Sequence, residues 1–155
     1  MRGLFLIVSH CAMLAVGFAL GVYLLPILTA PPSPDRADLA EMAEGASYTT
    51  EFTRDRRGSD FLHWGEGTVS LTGADIVHEG KLAPGPDYKL YLVNGYVDHE
   101  DGFVPVKSSA LQVGDVKSFA GFSLPLPEGV DLEAYDTVVI WCEAFGEFIT
   151  SAQYR

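Results

Sequence analysis

The stretch Thr137-Val138-Val139-Ile140-Trp141-Cys142-Glu143-Ala144-Phe145 constrains the fold more than any other part of the chain, because its apolar side chains fall on both faces of an extended strand. Side chains alternate along a strand, so Val138, Ile140 and Cys142 share one face and Val139, Trp141 and Glu143 the other. A strand of this kind must be covered on both sides, as in a sandwich or a filled barrel. Residues 88–94 repeat the pattern, with Tyr88, Leu90 and Leu92 alternating against Lys89, Tyr91 and Val93.

Further short runs rich in Val, Tyr, Phe, Thr and Leu predict strands at 48–53, 67–72, 75–78, 104–106, 115–119, 122–126 and 148–153. Gly85-Pro86-Asp87, Asn94-Gly95, Asp101-Gly102 and Glu128-Gly129 mark turns between them. Beyond Gly45 no helical period is evident. The expected fold is all-β: a single antiparallel β-sandwich domain, with strand 137–144 at its centre, preceded by one N-terminal transmembrane helix.

That helix is read from a second feature. Between Gly3 and Pro34 there is no acidic or basic side chain apart from His10, and residues 4–28 form a nearly unbroken apolar run. About 20 such residues suffice to span a bilayer core as a helix, whereas the apolar region of a cleavable signal is roughly 7–15 residues long. The nearest cleavage candidate, Leu28-Thr29-Ala30 before Pro31, has a leucine where a small residue is wanted. Residues 1–30 therefore read as an uncleaved signal-anchor. Arg2 before the span places the N-terminus inside and the rest of the chain on the extracytoplasmic side, periplasmic or extracellular. Residues 31–46 follow as a Pro-rich linker and juxtamembrane segment, opened by the stiff Pro31-Pro32-Ser33-Pro34 block, and residues 47–155 as the β domain.

All 21 acidic residues follow Pro34, against nine of the ten Lys and Arg, so the exported part carries a net charge of −12. Nucleic acid is excluded as a partner by this charge, and anionic lipid surfaces are disfavoured. The two cysteines are Cys11, in the apolar run, and Cys142. The exported part thus has one thiol and no internal disulfide. In an oxidising compartment an unpaired cysteine is a liability unless it is buried, ligated or used.

Cys142 points where Val138 and Ile140 point. If that face is core, the thiol is a small hydrophobe; if its end of the strand opens to a pocket, it is a nucleophile, a redox group or a metal ligand. His63 is the histidine that would complete a soft ligand pair with it if the two strands adjoin. Glu143 and Glu147 flank Cys142, and negative neighbours raise a thiol pKa, which favours ligation or burial over a reactive free thiolate. Asp98-His99-Glu100-Asp101, with Asp87 upstream, carries hard ligands but in no recognised metal-loop spacing, and reads as a solvated acidic hairpin tip. His78 and Glu79 beside Gly80 read as a turn. His10 and Cys11 read as residues near the inner end of the span. No Cys-x-x-Cys-His, Cys-x-x-Cys, Gly-x-Ser-x-Gly or phosphate-loop motif occurs.

Four segments, in this order, carry a resemblance: His63-Trp64-Gly65-Glu66-Gly67-Thr68-Val69; Gly85-Pro86-Asp87-Tyr88-Lys89-Leu90-Tyr91-Leu92; Gly114-Asp115-Val116-Lys117 with Gly121 and Leu126-Pro127; and residues 135–145, continuing to Ile149 and Ala152. Together they resemble the DM13 domain family, small all-β modules of exported bacterial and animal cell-surface proteins. Between Thr72 and Gly85 the chain departs from the family pattern, being more polar and less regular. The resemblance implies that Cys142, at the family's motif cysteine, is redox-active as a free thiol or as ligand to a prosthetic group such as haem. Copper is the metal ion that a cysteine and histidine pair would itself suit. The resemblance also implies electron transfer with a separate redox protein, since no oxidoreductase or cytochrome-like domain accompanies the module. The alternative is a tethered structural or protein-interaction domain in which Cys142 is only a core residue.

Overall fold

A computed structural model describes residues 1–155. The chain opens with helix α1 (Arg2–Thr29), long and apolar enough to cross a membrane, none of whose residues is buried by the rest of the protein. The proline block ends it. A short helix α2 (Arg36–Met42) follows and seats Leu39 in the domain.

Eight strands come next: β1 (Tyr48–Phe52), β2 (Gly65–Leu71), β3 (Asp75–Leu82), β4 (Tyr88–Val93), β5 (Leu111–Val116), β6 (Phe122–Pro125), β7 (Thr137–Cys142) and β8 (Glu147–Gln153). They form two antiparallel four-stranded sheets, ordered β1-β2-β3-β6 and β5-β4-β7-β8. The strand around Cys142 is interior to its sheet, as expected, with β4 on one side and β8 on the other.

The two faces of β7 enter two different cores. Val138, Ile140 and Cys142 join a cluster of 16 buried residues drawn from both sheets, including Phe52, Val69, Leu71 and Ile76 from the first and Leu90, Leu92 and Ile149 from the second. Val139 and Trp141 point the other way, into a smaller cluster with Tyr91, Val93, Val97, Phe103 and Phe148. Phe103 covers that outer face from a single helical turn, α3 (Glu100–Phe103), and its ring lies 4.9 Å from Trp141.

Four expectations are corrected here. Residues 104–106 are not a strand, because this segment continues α3 into a 3-10 turn (Lys107–Ser109) that brings Phe103 and Val106 onto one side against β4 and β7. The strand expected at 115–119 begins earlier, at Leu111, and is paired with β4 through a register irregularity at Leu90/Tyr91. His78 is no turn residue. It is fully buried in the middle of β3, opposite Val69 and Phe122, so the polar stretch that departs from the family pattern forms a complete eight-residue strand. The 98–101 segment is likewise the entry to α3 and not a hairpin tip, with His99 Nδ1 2.7 Å from Asp98.

Candidate functional site

Cys142 is the last residue of β7. Gly146, at φ +68°, closes the following turn and donates its N–H to the Cys142 carbonyl at 2.9 Å, so the strand stops at the thiol. Facing it is the Gly85-Pro86-Asp87 turn ahead of β4. Asp87 adopts φ +54°, a left-handed conformation that Asp tolerates better than most residues. This aims two successive carbonyls at the end of β7: Pro86 O accepts from Cys142 Sγ at 3.0 Å, and Asp87 O accepts from Glu143 N at 3.0 Å. Lys89 holds the Asp87 side chain from the same strand at 2.6 Å.

Tyr88 lies directly across the sheet from Cys142, and a directly opposed pair shares one face. Both line an apolar cavity of about 520 Å³. Leu62, His63, Pro86 and Phe145 contribute to its walls from the domain, and Phe18 and Tyr23 from α1. The strand end at the thiol therefore opens to a pocket.

His63 reaches the same cavity, though not by the route anticipated, since the strand that follows it belongs to the other sheet and does not adjoin β7. The loop before β2 carries it. That loop is fastened by Gly58 N to Asp98 O (2.9 Å), Ser59 Oγ to Ile149 O (3.0 Å) and Ala83 N to Trp64 O (2.9 Å). Within it Asp60 accepts from the Leu62 and His63 amides at 2.7 and 2.8 Å and lies 3.1 Å from His63 Nδ1. Burial works to raise the Asp60 pKa, but these hydrogen bonds outweigh it and hold the carboxyl below its usual value. A carboxylate on Nδ1 keeps the proton there and leaves Nε2 as the lone pair of the ring, the arrangement that orients metal-bound histidines.

The electrostatics of the thiol are unfavourable to a free thiolate. Burial pushes the Cys142 pKa up and outweighs the opposing Phe145 and Ala144 amides, and Asp87 and Glu147 add smaller upward pushes. At neutral pH Cys142 is a protonated thiol, 3% exposed. Burial also drives the Tyr88 phenol well above its normal range. Nowhere in the protein do three His, Cys, Asp or Glu side chains come together as a metal-holding group. Asp98, His99, Glu100 and Asp101 form none, and His10 and Cys11 lie in α1, apart from this cavity.

The opposite face of β7 carries a polar cluster that sequence reading left unnoticed. Glu143 accepts from Tyr91 Oη in a short hydrogen bond and from Lys107 Nζ at 2.6 Å, and Lys107 sits 5.4 Å over the Trp141 ring. Tyr88 and Asp60 were also missed; their signals were the residue after a Gly-Pro-Asp turn and an acid three positions before a histidine.

Compared with known families, residues 57–154 match the model described as Electron transfer DM13. No curated protein and no solved structure matches the chain.

Proposed function

This chain belongs to the DM13 family, and we propose that it is a membrane-anchored, extracytoplasmic electron-transfer module built around Cys142. In this reading residues 1–30 are an uncleaved anchor, 31–46 a linker, and 47–155 a β-sandwich whose layers are the two sheets. A core shared by both sheets supports the sandwich. An apolar helix that the domain leaves uncovered supports the anchor, because such a surface needs an apolar medium.

The observation that carries the functional reading is the convergence of Cys142, His63 and Tyr88 on one apolar cavity at the end of β7. Its volume is in the usual range for small-molecule and cofactor sites, roughly 300–1,000 Å³. A copper ion held by protein donors alone fits poorly, since no third ligand joins the cysteine and the histidine. Haem fits better. The apolar walls would accept its ring, and Cys142 or His63 would supply the thiolate or imidazole donor that a haem iron takes from a protein. Cys142 would ligate through Sγ after losing its proton, which the metal charge favours over the opposing field of Asp87 and Glu147. His63 would present Nε2, its ring fixed by Asp60. When bound, the group supplies one-electron exchange. Around it the chain excludes water with Leu62, Pro86, Tyr88 and Phe145, and keeps the imidazole oriented.

Titration of the full-length protein in detergent with haemin and, separately, with Cu(I) tests this assignment. Saturable one-to-one haemin binding that is weakened by Cys142→Ser and by His63→Ala is expected. Stoichiometric copper binding, or haemin uptake indifferent to both substitutions, would overturn it.

A second reading, a tethered interaction domain with a structural cysteine, draws on the burial of Cys142 and its Sγ–H bond to Pro86 O. It predicts that neither probe binds at the cavity.

A further inference from the structure

The tether between helix and domain is shorter than the six-residue gap between α1 and α2 suggests, because Ser33 Oγ accepts from Ala120 N at 3.3 Å. Only Ala30, Pro31 and Pro32 separate the end of α1 from a point fixed on the domain. Four Cα steps reach at most about 14 Å. While this bond is made, the side of the domain around Ala120 stays beside the outer end of α1 and faces whatever surrounds the helix.

The residues on that side are identified by what lies against α1. Leu25, Pro26 and Thr29 line a cleft with residues 85–89 and with Asp115, Lys117 and Phe119. Phe18, Val22 and Pro26 line another with Pro86, Ala144 and Phe145. About 20 residues suffice for the span, so residues 4–23 fill it and the last turn and a half of α1 stands outside. Phe18 then lies five residues inside Tyr23, about 8 Å along the helix axis, which puts the Pro86 and Phe145 edge at the depth of the headgroup and upper acyl region, where interfacial elements lie.

This edge and the loop beside it that carries His63 hold three of the domain's uncovered large apolar side chains. Phe61 is 85% exposed, Phe145 52% and Leu62 43%, and the last two line the Cys142 cavity. The charges nearest the tether also cancel: Lys89 pairs with Asp87 and Asp115 at 2.6 and 2.8 Å, and Lys117 lies 3.7 Å from Asp115. A strongly acidic domain thus presents toward the anchor an aromatic side on which Asp87 and Asp115 are paired and Glu147 alone of the lining acids has no ion-pair partner.

We propose that the domain docks edge-down on the outer surface of the bilayer that α1 crosses, with Phe61, Leu62 and Phe145 in the interface and the mouth of the Cys142 cavity open to lipid and not to water. The partner is the lipid surface itself. A compact redox partner dissolved in the membrane then has direct access to the cavity, whereas a water-soluble protein does not. This rests on the reading of α1 as a membrane span.

The test uses the full chain in phosphatidylcholine nanodiscs, with p-benzoylphenylalanine placed singly at positions 14, 61, 145 and 104, followed by irradiation and mass analysis for lipid adducts. Position 14 is mid-helix, and Val104 is an exposed apolar residue after α3, next to Phe103, which packs on the face of β7 opposite Cys142. Lipid adducts at 61 and 145 in yields approaching that at 14, with little at 104, are expected. Adducts at 14 but not at 61 or 145 would overturn the docking and leave the span standing. Absence of adducts at 14 would overturn both. Protein–protein adducts at 145 would assign the edge to a second copy of the chain and overturn the lipid assignment.

Discussion

Cys142 is a small apolar neighbour on one side and the floor of a cavity on the other, and its chemistry depends on the proton it keeps. Burial first, and the acidic groups of Asp87 and Glu147 second, hold the thiol pKa above its ordinary value near 9. In a Cys11→Ala background, alkylation of Cys142 by iodoacetamide should be slow at neutral pH and still accelerating above pH 9. A rate that levels off below pH 8 would show an activated thiolate and contradict this account. His78 offers a second titration. It is buried between Phe52 and Phe122, its Nε2 is 3.1 Å from Glu66 O, and its Nδ1 has no partner. Burial lowers its pKa from 6.5 to about 4 in the fold. The unfolded chain therefore binds a proton that the folded chain refuses between these values, and stability falls as pH drops through that window. The loss attributable to His78 is roughly 3 kcal/mol at 1.36 kcal/mol per pKa unit. Urea unfolding at pH 7 and 4.5 should show most of this loss in the native chain and not in His78→Gln; equal losses in both would place the titration elsewhere.

At the scale of elements, β7 carries two cores on opposite faces. Trp141→Ala should cost about 3–5 kcal/mol in urea unfolding, the scale for a large aromatic removed from a core. A loss below about 1 kcal/mol would mean that α3 does not pack on this sheet. This strand was legible in the sequence because both faces are apolar over six consecutive residues, and β4 was legible for the same reason. Residues 104–106 were not, since a short apolar run fits a strand or a helical turn equally, and only packing of Phe103 and Val106 on the outer core decides for the turn. His78 was misread because a polar side chain beside Glu79 and Gly80 resembles a turn. The alternate positions Ile76, His78 and Leu82, all buried, were the period-two signal that it was not. The candidate site was legible in part. Cys142 and His63 stood out as residue types at motif positions, but the cavity that joins them depends on a loop crossing from one sheet to the other, and no local pattern encodes that.

At the scale of the whole molecule, a 28-residue apolar helix with no buried residue is tied within a few residues to an acidic β domain. Intact-mass measurement of the protein extracted from membranes should find a chain that retains α1. A mature species beginning near Pro31 would remove the anchor, and with it the docking of the cavity mouth on lipid. The central claim is that the Cys142 cavity holds a redox prosthetic group, and the absorbance spectrum of the full chain purified in mild detergent from its own membranes tests it most directly. The account predicts a Soret band that Cys142→Ser weakens while the thermal unfolding of the domain is retained. A colourless, metal-free protein, folded and with an inaccessible thiol, would contradict it.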